Sequence, residues 1–304
     1  MQLLEMLSAQ AGFVNSEVIP WVLRLVMMGL GLSLTMADFK RVIIFPKAAT
    51  IGLVAQLVGL PLVAFLLGMA FNAPPAIAVG LVILAACPSG ATANAYTFAS
   101  RADVPLCVTL SAITSVITVF TIPFLINLAL RTFSLEGQMA QLPILGMLIN
   151  LMTFTLIPLI LGMLIRYFYS AFSERAVEPI RKVVQNVMML VLLLGIVSSY
   201  DVLLENYKTV AILVVTMNLV TMAMGFGLAK LFKLPLTQVI TITFEVGVQN
   251  LALSFAITFN ILQRPDLAVA GLVYAVIMPA TALGFVSLAR RLMAKENAHS
   301  ATTA

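Results

Sequence analysis

Glu245 is the one acidic side chain set deep inside an apolar segment of this 304-residue chain, within the run Thr243-Phe244-Glu245-Val246-Gly247-Val248-Gln249-Asn250. A carboxylate at bilayer depth costs about 2.5 to 3.5 kcal/mol on insertion scales, so it is kept together with a partner: an ion, a proton or a substrate. The run around it cannot stay helical. Where a helix unwinds, carbonyl oxygens lose their partners and become ligands for a cation, while the next half-helix offers free N–H groups and its positive dipole end to an anion. One break can therefore hold a cation and an anionic substrate together. Glu245 supplies the charge for the cation, and Gln249, Asn250 and Asn94 supply neutral oxygens. Gln56, alone in Leu53-Val54-Ala55-Gln56-Leu57-Val58, can reach the same region from another segment. The plainer reading of these amides is interhelical hydrogen-bond glue. Their convergence with an acid on interrupted helices is what favours ligands.

The elements that position these residues are membrane helices. Hydrophobic residues make up 62% of the chain and charged ones 10%, against about 25% charged in soluble domains. Residues 48–100 carry no charge at all, enough for two crossings of a core about 30 Å thick. Apolar runs predict nine spans, near 17–36, 43–71, 75–100, 104–130, 139–166, 182–200, 208–230, 235–262 and 267–289. Residues 1–16, which include Glu5, are too few to cross and form an external segment. They lack the basic start of a signal peptide. Loops on one side carry Lys40, Arg41, Lys47, Arg101, Arg166, Arg175, Arg181, Lys182, Lys230, Lys233, Arg290, Arg291 and Lys295, thirteen in all; the other side has Arg131, Lys208 and Arg264. Basic residues in short loops stay cytoplasmic, so the amino terminus is expected outside and the tail, 293–304, inside. The same distribution accounts for the net charge of +5 without nucleic acid. Cys87 and Cys107 have no metal-ligand spacing, and His299 lies in the polar tail.

Two spans are interrupted in similar ways. Ala86-Cys87-Pro88-Ser89-Gly90 breaks the third, since a mid-helix proline removes a donor and clashes with the preceding turn. Glu245 to Asn250 breaks the eighth. Phe71-Asn72-Ala73-Pro74 opens the third span and Phe232-Lys233-Leu234-Pro235 the eighth, and Asn94 to Ala99 parallels Asn250 to Ala256 with one inserted residue. An odd number of crossings separates them, which predicts inverted repeats of the kind that build a midplane transport site. Asn218, the approximate counterpart of Gln56, reads as structural. Arg24 beside Trp21 either attracts an anion or snorkels to the interface.

Cys87-Pro88-Ser89-Gly90 with Asn94, the Glu245-Val246-Gly247-Val248-Gln249-Asn250 hexad, and Leu30-Gly31-Leu32-Ser33-Leu34 through Asp38-Phe39 resemble the bile acid:sodium symporter family, with bacterial members among those it is similar to. The resemblance implies an all-α polytopic fold in which two broken helices cross in a core domain beside a panel domain. It covers a transmembrane domain of 17–292, with repeats of about 17–132 and 139–292. Spans one to four pair with six to nine, span five is unpaired, and the first helix of the ten-helix bacterial fold is missing. It also implies two sodium sites. The second takes the side chains of Gln56 and Gln249 with backbone oxygens at Glu245, Val246 and Val248. The first takes Asn94, Ser111 and Glu245, but Ala93 and Cys107 stand where serine oxygens are usual, with Thr92 or Thr109 as substitutes. Ile277-Met278-Pro279 replaces a histidine-asparagine pair that faces bile acid in one bacterial member.

The expected function is sodium-coupled symport of an organic anion by alternating access in the inner (plasma) membrane. The cargo is a small carboxylate such as pantoate or an oxo or hydroxy acid, with bile-acid-like anions as an outside case. Thr92, Ala93 and Asn94 should offer backbone N–H groups to its carboxylate, with Asn250 completing the cradle. The coupling ion is sodium, no cofactor is expected, and a monomer suffices. The alternative is a proton-coupled carrier or cation antiporter using Glu245 as its proton site. A structural or receptor role is a further class. An intramembrane hydrolase would need a serine-histidine, two-aspartate or zinc set, which these spans lack.

Overall fold

The computed structural model describes residues 18–133 and 143–303, and every regular element among them is helical. The predicted external segment 1–16 lies outside the described residues, as does the start of the predicted fifth span. In chain order the helices are α1 (Ile19–Ser33), α2 (Met36–Ile44), α3 (Pro46–Ala70), α4 (Pro75–Ala86), α5 (Ala91–Ala99) and α6 (Val104–Thr132). They are followed by α7 (Ile144–Phe168), α8 (Ser170–Ser198), α9 (Tyr200–Leu231), α10 (Leu236–Gly247), α11 (Leu251–Ile261) and α12 (Val269–Thr303). Among the described residues, six helical stretches are long and apolar enough to cross a membrane: α3, α6, α7, α8, α9, and Pro265–Glu296, which contains most of α12. Four shorter apolar helices, α1, α4, α10 and α11, accompany them.

Several boundaries differ from the predicted spans. α8 starts at Ser170 rather than near 182, so Arg175, Arg181 and Lys182 are helical rather than in a loop. α9 starts at Tyr200 rather than 208, and α12 runs through the predicted tail to Thr303. Hydropathy marks where apolar side chains stop, whereas the backbone ladder continues through polar helix formers such as Ser-Glu-Arg-Ala-Val-Glu.

The two interrupted helices form the core. Every residue of α4 from Ile77 to Ala86 is buried, as is every residue of α10 from Gln238 to Gly247. α4 is apolar all round and α10 carries Gln238, Thr241, Thr243 and Glu245, and both are enclosed by neighbouring helices rather than left to lipid. α3 and α6 pack on α4, while α6 and α9 pack on α10. Separately, α1 packs extensively on α7 and α8. The α1–α7 crossing depends on glycine: a Cβ on Gly31 would lie 2.2 Å from the Leu159 carbonyl oxygen, and one on Gly162 2.3 Å from that of Met28. Arg24 is held in the same packing group between the rings of Trp21 and Phe154, at 4.9 and 4.8 Å, so cation–π stacking accounts for it.

The paired sequence signals produce paired geometry. Phe71, Asn72 and Ala73 donate backbone hydrogen bonds to Leu67, Met69 and Gly68; Phe232, Lys233 and Leu234 donate to Leu228, Lys230 and Ala229. Both turns place one residue in the left-handed region, Asn72 at φ 44° and Lys233 at φ 56°, as a helix C-terminus of this kind requires. The two remaining left-handed non-glycine residues described are Arg101 (φ 57°) and Gln263 (φ 52°), just beyond α5 and α11. Asn72 and Arg101 are 29 positions apart, Lys233 and Gln263 30. The additional residue has a structural home: α11 ends in a π-helical turn, Ala256–Ile261, the form in which a helix absorbs a one-residue insertion.

Candidate functional site

The helices of the core break near the predicted places and the two breaks touch, but the second is shorter than expected: Thr243 to Gly247, Glu245 included, stay helical, and only Val248 to Asn250 unwind. α4 ends before Cys87 and α5 begins at Ala91; α10 ends at Gly247 and α11 begins at Leu251. Ser89 and Gln249 form an antiparallel bridge between them. Asn250 N–H donates to the Pro88 carbonyl at 3.0 Å, and Gly90 N–H to the Val248 carbonyl at 3.4 Å. The unwound backbone groups of each break thus partly satisfy those of the other, which is how non-helical backbone is tolerated at membrane depth.

Glu245 is fully buried at the end of α10. Ser89 donates to its Oε1 at 2.5 Å, Ser111 to its Oε2 at 3.0 Å, and the Cys107 thiol to Oε2 at 3.3 Å. Ser89 Oγ and Ser111 Oγ are themselves 2.7 Å apart. An ionised carboxylate only accepts, and each hydroxyl carries one hydrogen. Four oxygens therefore converge with two hydroxyl protons among them, so one close O···O contact is left without a donor. Either a bound cation, which takes oxygen ligands, or a proton on the carboxyl, which supplies the missing donor, satisfies such a cluster.

Beside this cluster, Gln56 donates from Nε2 to the Cys87 carbonyl at 3.1 Å and to Gln249 Oε1 at 3.0 Å. Gln249 donates in turn to the Val246 carbonyl at 2.8 Å. Gln56 Oε1 is buried without a hydrogen-bond partner, an acceptor left over at this junction. The residues expected for the second sodium site, Gln56, Glu245, Val246, Val248 and Gln249, are all buried at this junction.

The residues expected for the first site are less closely joined. Ser111 contacts Glu245 directly, whereas Asn94 makes no hydrogen bond to it, and its Oδ1 is buried and unpartnered. Thr109 does not substitute for the missing serines: its hydroxyl donates to the Pro105 and Asp38 carbonyls. Thr92 is exposed beside the break. The second hydroxyl that reaches Glu245, beside that of Ser111, is that of Ser89. Sequence reasoning used Ser89 only as part of a break motif; the available signal was a hydroxyl in a Pro-Ser-Gly turn opposite an acid in the matching element.

A cavity of about 360 Å³ opens beside the breaks, within the range of small-molecule sites. Gly90, Thr92, Gln249 and Asn250 face it from the breaks, and Met278 and Pro279 from α12. The far wall is α8, including Gln185 and Arg181, the latter counted from the sequence only toward orientation. Two expected cradle groups need correction. The Ala93 N–H is engaged by the Gly90 carbonyl at 2.9 Å and its side chain is buried, so it is not offered to a ligand. Asn250 Oδ1 caps its own helix by accepting from Leu253 N–H at 3.1 Å, leaving Nδ2 as its donor. Helix geometry leaves the first-turn amides of Ala91 and Thr92 without intrahelical acceptors. A larger cavity of about 830 Å³, between the end of α1 and α7, includes no residue of either break.

Asn218 and Tyr274 form a third polar group. Both donate to the Gly247 carbonyl, at 2.9 and 2.8 Å. Gln56 reaches the carbonyl at the end of α4 and Asn218 the carbonyl at the end of α10, so the two amides perform matching roles at the two breaks.

Several known proteins resemble this chain in sequence or in fold. The pattern of the sodium bile acid symporter family matches residues 20–206. The uncharacterized sodium-dependent transporter YocS of Bacillus subtilis is 28% identical over 82% of this chain and 78% of its own length. The probable chloroplastic sodium/metabolite cotransporter BASS2 of Oryza sativa subsp. japonica is 28% identical over 86% of this chain, which spans 61% of that relative. The human sodium/bile acid cotransporter 4 is 29% identical over 76% of this chain and 53% of its own. Among solved structures, the sodium proton antiporter MjNhaP1 of Methanocaldococcus jannaschii superposes over 95% of this chain and 91% of its own with a TM-score of 0.55. At 11% identity that likeness concerns the fold alone.

Proposed function

The chain belongs to the sodium bile acid symporter family, a family of sodium-dependent membrane transporters rather than enzymes, and from that premise we propose that it is a symporter of a small organic anion. The observation that carries the reading is the oxygen cluster around Glu245: Ser89, Ser111 and the carboxylate converge with fewer protons than contacts. Sodium in that cluster is the coupling ion, and the unpartnered Gln56 Oε1 marks the second ion site. The anion occupies the adjoining cavity, its carboxylate at the start of α5 and near Asn250 Nδ2. Met278 makes the neighbouring wall apolar, which suits a short carboxylate such as pantoate or an oxo or hydroxy acid better than a polyhydroxylated body.

The nine-span reading counts α4 with α5 and α10 with α11 as one crossing each and adds α1 to the six long helices. Inverted repeats are supported by the matched turns at Asn72 and Lys233, by the matched ends at Arg101 and Gln263, and by the paired roles of Gln56 and Asn218. In this reading α1, α7 and α8 are the panel, and the core rocks against it so that the site faces each side in turn. The transporter works as a monomer in the plasma membrane, amino terminus outside.

Calorimetry on a small acid and its methyl ester, each in sodium and in choline at fixed pH, tests the proposal. The acid should bind in sodium only, and the ester in neither, because it gives up the charge-assisted bonds. Equal binding of acid and ester overturns the anion site. Acid binding that follows pH and ignores sodium favours proton coupling through Glu245.

A further inference from the structure

We propose that Arg181 is a second, cationic anchor of the cavity, so that the cargo is an organic anion with an acidic group at each end. This rests on the symporter reading above and deepens it. α8 presents Arg181, Val184, Gln185, Met188 and Leu192 to the cavity, a spacing that keeps them on one helical face. The face covers about 16 Å of helix axis. Its polar groups are confined to the Arg181 end, and the rest is apolar. Across the cavity, the donors of the other wall lie at Thr92 and Asn250. Donors therefore stand on two walls of one cavity, Arg181 and Gln185 on α8 and Thr92 and Asn250 at the breaks, and most of the remaining lining is apolar. A monoacid occupies one and leaves the other empty.

Arg181 is available for this role. Its ionic partner is Glu178 at 2.7 Å, one turn back on the same helix, with both side chains 51% exposed. A half-exposed pair of that kind is weak and exchangeable. An incoming carboxylate, sulfonate or phosphate can take the guanidinium with two parallel hydrogen bonds, a geometry in which arginine exceeds lysine. Arg181 is also the one cation among the described residues that line this cavity. The apolar remainder of the lining, with Met188, Leu192 and Met278, disfavours a strongly hydrated body. The substrate class is thus an α,ω-diacid or a carboxylate bearing a sulfonate or phosphate at its far end.

The test is sodium-driven uptake by the full chain in proteoliposomes. Straight-chain dicarboxylates from succinate to sebacate are compared with monocarboxylates of equal length. The wild type should favour one diacid length over its monoacid. Arg181→Gln should raise KM for that diacid about tenfold, the weight of one charge-assisted pair. The monoacid KM and the sodium dependence should stay within about twofold. Arg181→Lys should be intermediate, and Glu178→Gln should lower the diacid KM by freeing the guanidinium. Loss of diacid and monoacid uptake in equal measure, or no change in either, overturns the proposal, as does a wild type indifferent to the second acid group. If Arg181→Gln fails to fold, Arg181→Lys and Glu178→Gln decide by the same comparison. A wild type that takes neither acid in sodium overturns the symporter reading and this inference with it, whereas sodium-driven uptake indifferent to Arg181 overturns this inference alone.

Discussion

Glu245 is an acceptor with a short supply of donors, and that imbalance is the most consequential feature at the scale of single residues. Removing its carboxylate deletes the only charge of the cluster, so Glu245→Ala should abolish the rise in melting temperature on adding sodium, because an ion stabilises only the state it binds. Retention of the wild-type shift would falsify the cation assignment. Ser89 gives a sharper test, since its hydroxyl contacts both Glu245 and Ser111. Hydrogen bonds to charged groups contribute about 1.5 to 3 kcal/mol, so Ser89→Ala should weaken sodium binding by roughly tenfold or more. Thr109→Ala should leave it unchanged, because that hydroxyl serves the Pro105 and Asp38 carbonyls. A sodium titration of the two variants distinguishes them; equal loss in both would mean that the cluster is not local. The acid, the amides and the break were legible from residue type and depth alone. Ser89 was not, because its role depends on which element of the other repeat it meets, and a single sequence does not reveal that contact.

At the scale of elements, local chemistry was a good guide wherever a backbone requirement was strict. Proline and glycine marked the first break and Gly247 the second, and the Phe-x-x-Pro signals became two turns with the same hydrogen-bond ladder and the same left-handed residue. Hydropathy was a poorer guide to ends, as α8 shows: its polar first turns continue the helix well ahead of the apolar run and carry Arg181 to the cavity wall. The panel grouping also has an element-scale test. Gly31 and Gly162 allow α1 and α7 to approach until each would-be Cβ meets the other helix's backbone, which cannot rotate away as a side chain can. Gly31→Ala or Gly162→Ala should therefore destabilise the protein by about 1 to 3 kcal/mol, as overpacking does. Gly227→Ala on α9, where nothing lies within 4 Å of the added carbon, should be neutral or stabilising by up to about 1 kcal/mol. Melting temperatures of the three variants in one detergent check this; a neutral Gly31→Ala would mean that the two helices are not held at that distance.

For the whole molecule, the two matched turns make orientation testable without reference to either terminus. Asn72 and Lys233 occupy equivalent positions in their repeats, both exposed and both with φ near 50°. If the repeats are inverted, equivalent positions face opposite sides of the membrane. The sign of that difference is set by charge: thirteen basic residues flank the predicted cytoplasmic ends of the spans and three the external ones, and basic residues in short loops are retained inside. Several of them have local partners that keep them in place. Arg166 pairs with Glu174 at 3.3 Å, and Arg290 donates to the Ala99 carbonyl at the end of α5, where a cation also meets the negative end of the helix dipole. Asn72→Cys, in a background with Cys87 and Cys107 replaced, should be labelled in intact cells by an impermeant thiol reagent. Lys233→Cys should be labelled only after the membrane is opened. Labelling of both from outside would mean parallel rather than inverted repeats, and the core would then lack the symmetry that lets one site open to each face. The reverse pattern, Lys233→Cys outside and Asn72→Cys protected, would keep the repeats and invert the molecule, placing Arg181 at the external mouth of the cavity.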